Sequence, residues 1–329
     1  MGIKFSVIIP AYNAEKTIIR CLNSILYSKR DDIEVLVVND GSTDNTSKAC
    51  MYVAGKDCRI KYYEKQNGGV SSARNLGLSY AEGTFVCFVD SDDFVSSDYF
   101  EQLDRELQEN CDLLLFQKKI FDGTCYKYNS GKYCCYYDNR EETVFFLSNE
   151  LRAQNLNAPF NKVYKLDLIR RNNIKFPENL HIGEDKVFVM KYLMTVVTVK
   201  CIDAPLYIVS TENKNSLSRK ARADLCDSIL LEHSMMFETV MHSELSDRLK
   251  EMYLSALSFS FYRSAYTVIG EIDKFELSVK EKRSKIKDIC RKYSDYNIKK
   301  YCDFQTGIIA LPIKLGLVKI IDFMLKIKK

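Results

Sequence analysis

No apolar stretch in this sequence reaches the roughly 18 uninterrupted residues that a membrane-spanning helix needs. A charged-then-apolar leader is missing too, because the run Val7-Ile8-Ile9 stops at Pro10. The expectation is therefore a chain made and kept in the cytoplasm. Met1-Gly2 with Ser6 matches a myristoylation pattern in form, but Lys4 to Val7 already reads as the start of a core strand. The 12 cysteines include no Cys-x-x-Cys pair, and their scatter suits buried thiols in a reducing compartment. The adjacent Cys134-Cys135 reads as two packed thiols rather than a redox pair. A large excess of either charge is missing as well. A formal net charge of +4 gives no case for a nucleic-acid partner. No Gly-x-Gly-x-x-Gly follows the first apolar run, which argues against a dinucleotide-binding dehydrogenase. Nor is there a glycine-rich basic loop at that point to hold a triphosphate, which argues against a nucleotidyltransferase. Internal repeats and low-complexity linkers are absent. What remains is 329 residues of ordinary globular composition, 46% hydrophobic and 28% charged, enough for two domains or one core with an appendage.

The first 116 residues alternate strand and helix signals. Apolar runs at Phe5 to Ile9, Ile33 to Val38, Ile60 to Tyr63, Phe85 to Val89 and Leu113 to Phe116 predict buried strands. Helical stretches fall between them, at about 15–27, 43–53, 70–81 and 97–109. Short apolar runs separated by helices are the pattern of an α/β protein with a mostly parallel sheet covered on both faces. Residues 118 to 138 change character: Tyr-rich, with Gly123 and Gly131 as turn signals, they predict an antiparallel excursion. A helix is expected from Glu184, and short strands near Val196 to Cys201 and Leu206 to Val209. Beyond about residue 216 the sequence is helical and charged.

In such sheets, ligands sit at the carboxyl ends of the strands, and the residues that carry chemistry fall at those ends. Val89-Asp90-Ser91-Asp92-Asp93 follows the fourth run directly. Three carboxylates in four positions repel one another unless something positive sits among them. A hard divalent cation with oxygen ligands would serve, and Mg²⁺ or Mn²⁺ typically takes one or two carboxylates plus substrate phosphates. An acidic loop in which Asp93 or Ser96 caps the next helix would also account for the segment. Val38-Asn39-Asp40-Gly41-Ser42-Thr43-Asp44 closes the second run; Asp-Gly makes a tight turn, and Asp40 could accept an N–H from a nucleobase edge. Gln66-Asn67-Gly68-Gly69 precedes a helix containing Arg74. Glycines let the backbone approach a ligand, a helix N-terminus favours anions, and an arginine suits phosphate oxygens. Finally, Gly183-Glu184-Asp185 opens a helix, where acidic residues are favoured by the dipole whether or not they have another role.

Taken in order, these segments resemble the family 2 glycosyltransferases, inverting enzymes of the GT-A fold. The resemblance rests on Ser6 to Asn13, Val38 to Asp44, Asn67-Gly68-Gly69 through Ala73-Arg74-Asn75, Val89 to Asp93, and Gly183-Glu184-Asp185 with Phe188. Asn161 to Tyr164 and Ile174 to Pro177 also look like the family's approach to the last motif. It covers about residues 4 to 210 and is nearest to the bacterial members that build capsule, exopolysaccharide or wall glycans. The resemblance implies a Rossmann-like nucleotide-sugar-binding sheet and transfer of a sugar from a nucleotide diphosphate, with UDP the expected carrier. The acceptor would be a hydroxyl of a glycan or lipid-linked saccharide. It places Pro10, Ala11, Tyr12 and Asp40 at the base and ribose, and Asn67 and Arg74 near the ribose or diphosphate. Asp90 and Ser91 would meet the donor, Asp92 with Asp90 would hold Mn²⁺ or Mg²⁺, and Asp185 would be the general base, with Glu184 supporting it or the acceptor.

On this basis residues 1–215 are expected to form the catalytic domain and 216–329 a helical C-terminal region. The last segment, 306–329, reads as a basic amphipathic helix. Lys319, Asp322, Lys326 and Lys329 fall on one side with Lys314 at the edge, and apolar residues from Ile309 to Ile327 cover the rest. Such a helix can lie in the surface of an anionic membrane, giving peripheral contact with its cytoplasmic face; packing against a protein partner is the alternative. A non-catalytic scaffold of a polysaccharide assembly complex would keep the fold but has no need of Asp90, Asp92 and Asp185 together.

Overall fold

The computed structural model describes residues 2–107, 110–128, 134–212, 224–272, 277–295 and 303–316. It divides into two compact units. The first draws on Met1–Thr143, Ala158–Asn179 and Thr195–Ser216, the second on Val144–Asn157, Leu180–Met194 and Leu217–Lys329.

In the first unit β1 (Phe5–Ala11), α1 (Ile18–Leu26), β2 (Ile33–Asp40), α2 (Thr46–Ala54), β3 (Ile60–Lys65), α3 (Val70–Tyr80) and β4 (Phe85–Phe88) alternate as their apolar patterns predict. Strands β3, β2, β1 and β4 lie side by side and parallel, with Val7 opposite both Val35 and Cys87. Every residue of β1 and β2 is buried, so their apolar runs are continuous rather than alternating. The period of two still sorts the faces. Val7 and Ile9 join Cys21, Leu22 and Ile25 of α1, while Ile8 points the other way, onto α3. There a Cβ on Gly77 would come within 2.5 Å of the Ile8 side chain, so only glycine lets this helix lie so close to the sheet.

Beyond β4 the sheet becomes mixed. β5 (Phe94–Val95) and α4 (Tyr99–Glu106) precede β6 (Leu113–Phe121), and β7 (Tyr126–Lys127) folds back antiparallel on β6. β8 (Cys135–Tyr137) leads to α5 (Arg140–Arg152), and β9 (Lys162–Lys165) to α6 (Leu166–Arg171). Strand β9 runs antiparallel between β4 and β6, and β10 (Val199–Ser210) pairs parallel with β6 and antiparallel with β5 and β8. The antiparallel excursion is present in β7 and β8; residues 129–133 lie outside the described part. The two short strands expected near 196–209 are one strand whose register shifts around Pro205. Proline has no N–H to give the ladder, so the strand bulges there and resumes.

The second unit is helical: α7 (Glu184–Leu193), α8 (Leu225–Met241), α9 (Asp247–Glu271), α10 (Val279–Asp295) and α11 (Phe304–Lys314). Helix α9 is its centre. Phe261 packs edge-on against Tyr262 and His233 and meets Tyr293 of α10, and buried Ser258, Ser264 and Ala265 let neighbours approach. The Ser264 and Tyr293 hydroxyls are 2.9 Å apart, which satisfies both in the core. Helix α11 is capped by Asp303, whose carboxylate accepts from the Thr306 N–H at 2.7 Å. It buries Ala310 and Ile313 and leaves Ile308, Leu311 and Leu315 more than half exposed. The charged side expected at Lys319, Asp322, Lys326 and Lys329 lies outside the described residues. Among the described residues no helix is long and apolar enough to cross a membrane.

Candidate active site

Because β1, β2, β3 and β4 run parallel, their carboxyl ends point the same way, and the loops that follow them gather along one edge of the first unit. Pro10 and Ala11 are the last residues of β1, paired with Val38 and Asn39 of β2, and Tyr12 follows them half exposed. The loops after β1 and β2 are laced together. The Asn13 N–H donates to Ser42 Oγ at 3.0 Å, and Asn13 Oδ1 accepts from the Thr43 N–H at 2.9 Å. Thr46 Oγ1 accepts from the Ala14 N–H at 2.7 Å, and Asn39 Oδ1 holds the Ser42 N–H at 3.1 Å. Small polar side chains here replace the backbone partners that a loop lacks, and so set the floor beside Tyr12.

Asp40 is buried at the end of β2, and its carboxylate organises the neighbouring turn. Oδ1 accepts from Lys65 Nζ at 2.8 Å and from the Gly68 N–H at 2.9 Å, and Oδ2 accepts from the Gly69 N–H at 2.7 Å. That answers why this position is acidic: the turn after β3 presents two backbone donors and an ammonium to one point. An ionised carboxylate offers about four lone-pair sites, so these three donors leave one. Gly41 makes the packing possible, because with φ at +68° a Cβ would stand 2.7 Å from the Asn67 N atom. Asn67 itself is exposed at the tip of the turn. Gly69, at φ +88°, turns the chain into α3.

One turn into α3, Arg74 is almost fully buried and donates to Asp90 Oδ1 at 2.9 Å, with its guanidinium 5.2 Å from the centre of the Phe176 ring. An arginine tied down on both sides cannot swing into solvent, and it presents a fixed charge at the end of β4. Asp90, Ser91 and Asp92 are each partly exposed there. Partial burial, and after it the charge of Asp90, push the Asp92 carboxyl above its ordinary value. The two carboxylates therefore stand close enough to repel each other.

Tyr207, Ser210 and Arg20, which the motifs did not single out, hold this loop. Tyr207 of β10, fully buried and stacked on Phe160, accepts from the Asp90 N–H at 3.1 Å and donates to Asp93 Oδ2 at 2.7 Å. Asp93 is buried, and its Oδ1 accepts from the Ser210 N–H at 2.8 Å. Burial first, and then the charge of Asp90, push the Asp93 carboxyl up to about 8, against the lowering effect of those two bonds. Asp93 is thus an internal strut tying the loop to β10, not a cap for the following helix. Arg20 of α1 donates to the Asp92 carbonyl at 3.2 Å and to Ser210 Oγ at 3.0 Å, and pairs with Glu212. These partners lie 72 to 117 positions from the residues they hold, so no local pattern could reveal them. Tyr207→Phe should leave the Asp90 N–H and the Asp93 carboxyl each one partner short. A loss of about 1–3 kcal/mol in unfolding free energy is expected. Urea titration measures it, and an unchanged midpoint would mean that the hydroxyl holds nothing.

Glu184 and Asp185 belong to the second unit, where they form the first turn of α7 after Gly183 at φ +85°; both are partly exposed. Among the described residues no three His, Cys, Asp or Glu side chains make a ready cage for a metal ion. A cation that takes one or two carboxylates and otherwise substrate phosphates does not require one, and Asp90 with Asp92 has the oxygen chemistry for it and a mutual repulsion that a cation would relieve.

Residues 6–163 match the family described as Glycosyl transferase family 2. Among curated proteins, the chain is similar to the uncharacterized glycosyltransferase EpsJ of Bacillus subtilis, 34% identical over 221 residues, which is 65% of this chain and 62% of EpsJ. It is also similar to the poly(ribitol-phosphate) beta-N-acetylglucosaminyltransferase TarS of Staphylococcus aureus, 29% identical over 270 residues, 79% of this chain and 45% of TarS. The crystal structure of TarS residues 1–349 in complex with UDP-GlcNAc matches with a TM-score of 0.74 at 23% identity, covering 97% of this chain and 89% of that one. The fold is GT-A. In length, the chain spans about three fifths of EpsJ and less than half of TarS.

Proposed function

We propose that this chain, whose residues 6–163 match the glycosyltransferase family 2 description, moves a sugar from a nucleotide diphosphate, UDP by preference, onto a hydroxyl of a bacterial surface glycan or its lipid-linked precursor, with inversion. The observation that carries this reading is the shared edge of β1 to β4. There a turn held by Asp40 and an acidic loop backed by buried Arg74 stand together.

In this reading residues 1–215 carry the chemistry. Pro10, Ala11 and Tyr12 bed the base and ribose. Asp40 uses its remaining lone pair on a base N–H, while the turn it holds sets Asn67 by the ribose and diphosphate. Asp90 and Ser91 face the donor, and Arg74 keeps Asp90 aimed and adds positive charge where the leaving diphosphate gains negative charge. Asp92, with Asp90, would hold Mn²⁺ or Mg²⁺. A divalent cation at that place neutralises charge on a departing diphosphate. Asp185, supported by Glu184, takes the proton of the acceptor hydroxyl as the new bond forms on the face opposite the leaving group. Holding both substrates in line supplies much of the remaining rate.

Peripheral membrane contact through 306–329 belongs to the same reading. The exposed Ile308, Leu311 and Leu315, on one side of α11, support it.

Incubating the protein with a panel of nucleotide sugars, with and without Mn²⁺, tests the proposal. Metal-dependent release of UDP from at least one UDP-sugar is expected. No release from any donor, with or without candidate acceptors, would overturn it.

A further inference from the structure

Helix α8 contains a carboxylate with no part in the scheme above. Glu232 is fully buried, and its two oxygens accept from Lys186 Nζ at 2.9 and 3.1 Å. Its Oε2 lies 2.1 Å, and its Cδ 2.6 Å, from where a Cβ on Gly183 would stand. The carboxylate therefore rests directly on the α-carbon of the residue that caps α7. The next residue, His233, is buried too; its Nδ1 is 2.9 Å from the Ile229 carbonyl oxygen, and burial holds its imidazole below the usual range. A neutral imidazole leaves the ammonium of Lys186 to balance Glu232.

Burying an ion pair is costly, and apolar side chains of similar size often pack as well or better. What the pair does that an apolar contact cannot is fix direction. A carboxylate is favoured beside a helix N-terminus, and gripping Lys186 sets the rotation of the first turn. Successive residues are about 100° apart around a helix. Holding Lys186 toward α8 therefore carries Asp185 roughly that far round, off the α8 side. Glycine at 183, with its positive φ, is the only residue that lets the carboxylate come so close.

We propose that Glu232 is a positioning residue for Asp185, acting through Lys186 and Gly183 to aim the first turn of α7. The inference rests on the assignment of Asp185 as the base. Glu232→Gln keeps the shape and removes the charge. In the full-length protein it should lower kcat by roughly 10-fold or more with the donor KM little changed, because small misplacement of a reacting group is expensive. Lys186→Met should do the same, and the double variant should be no worse than either single one, since all three lose one interaction. Amide exchange should quicken at 183–188 and stay unchanged in α9.

A normal kcat in Glu232→Gln with a lowered melting temperature would make the pair merely structural and overturn the proposal. So would exchange that quickens evenly through α8 and α9, or effects on kcat that add. Asp185→Asn in the same series separates the two ideas. If it transfers normally, the base assignment fails, while exchange at 183–188 in Glu232→Gln still decides whether that side chain positions α7.

Discussion

Asp185→Asn should reduce sugar transfer by roughly 10²–10⁴-fold while changing nucleotide-sugar binding by less than about twofold. The amide keeps the size and hydrogen-bonding reach of the carboxylate but cannot take a proton at neutral pH. An acceptor hydroxyl is a poor nucleophile until its proton is leaving, so the loss falls on the chemical step. The first turn of α7 should survive, because its start is set by Gly183 and by the grip of Glu232 on Lys186, neither of which the change touches. Initial rates at saturating donor, together with calorimetric titration of the donor, measure the two quantities separately. Normal turnover would remove Asp185 from the mechanism. Equal losses in rate and affinity would recast it as a binding residue.

Asp92→Asn should act on the other half of the reaction, with transfer falling roughly 10²–10³-fold and more Mn²⁺ needed to reach half-maximal rate. The same change should leave the metal-free protein no less stable than wild type, and this opposite sign is the informative part. Burial and the neighbouring charge of Asp90 push the Asp92 carboxyl up, so the folded state disfavours its ionised form. Neutralising it relieves that repulsion. A carboxylate kept for structure would show the reverse, with stability falling and the metal requirement unmoved. Asp90 makes a poorer test, because its oxygen also holds Arg74 at 2.9 Å and its loss would leave a buried guanidinium short of a partner. Thermal melts in chelator and metal titrations of the rate give both readouts from one preparation.

Much of the first unit was legible because its central strands β1, β2 and β4 are buried on both faces. Apolar runs such as Val7 to Ile9 and Ile33 to Val38 needed only to be noticed, and the helices between them follow from the spacing. The strands that escaped notice are those with little pattern to offer. Phe94–Val95 spans two residues, and Lys162–Lys165 has a lysine at each end. Lys162 is nonetheless fully buried, its ammonium donating to the Ala158 carbonyl at 2.7 Å, which no hydrophobicity pattern would predict. Position 40 shows the limit on the functional side. Asp-Gly at a strand end was readable as a turn, yet the donors that gather on the Asp40 carboxylate come from residues 65 to 69.

By itself the chain determined the α/β character of its first two hundred residues, the ends of the strands on which its carboxylates stand, and the ordered motifs by which it resembles a family. These are local properties, set by side-chain periodicity and turn chemistry over a few residues. Tertiary structure alone decided which carboxylates are struts and which are open to a ligand. Asp93 is tied to Tyr207 and Ser210, Asp40 to the turn after β3, and Glu232 to Lys186, whereas Asp92 stands partly exposed against the charge of Asp90. The reason is that a carboxylate's role depends on the donors that surround it. Those donors arrive from 25 to 117 positions away, once the sheet and helices have packed.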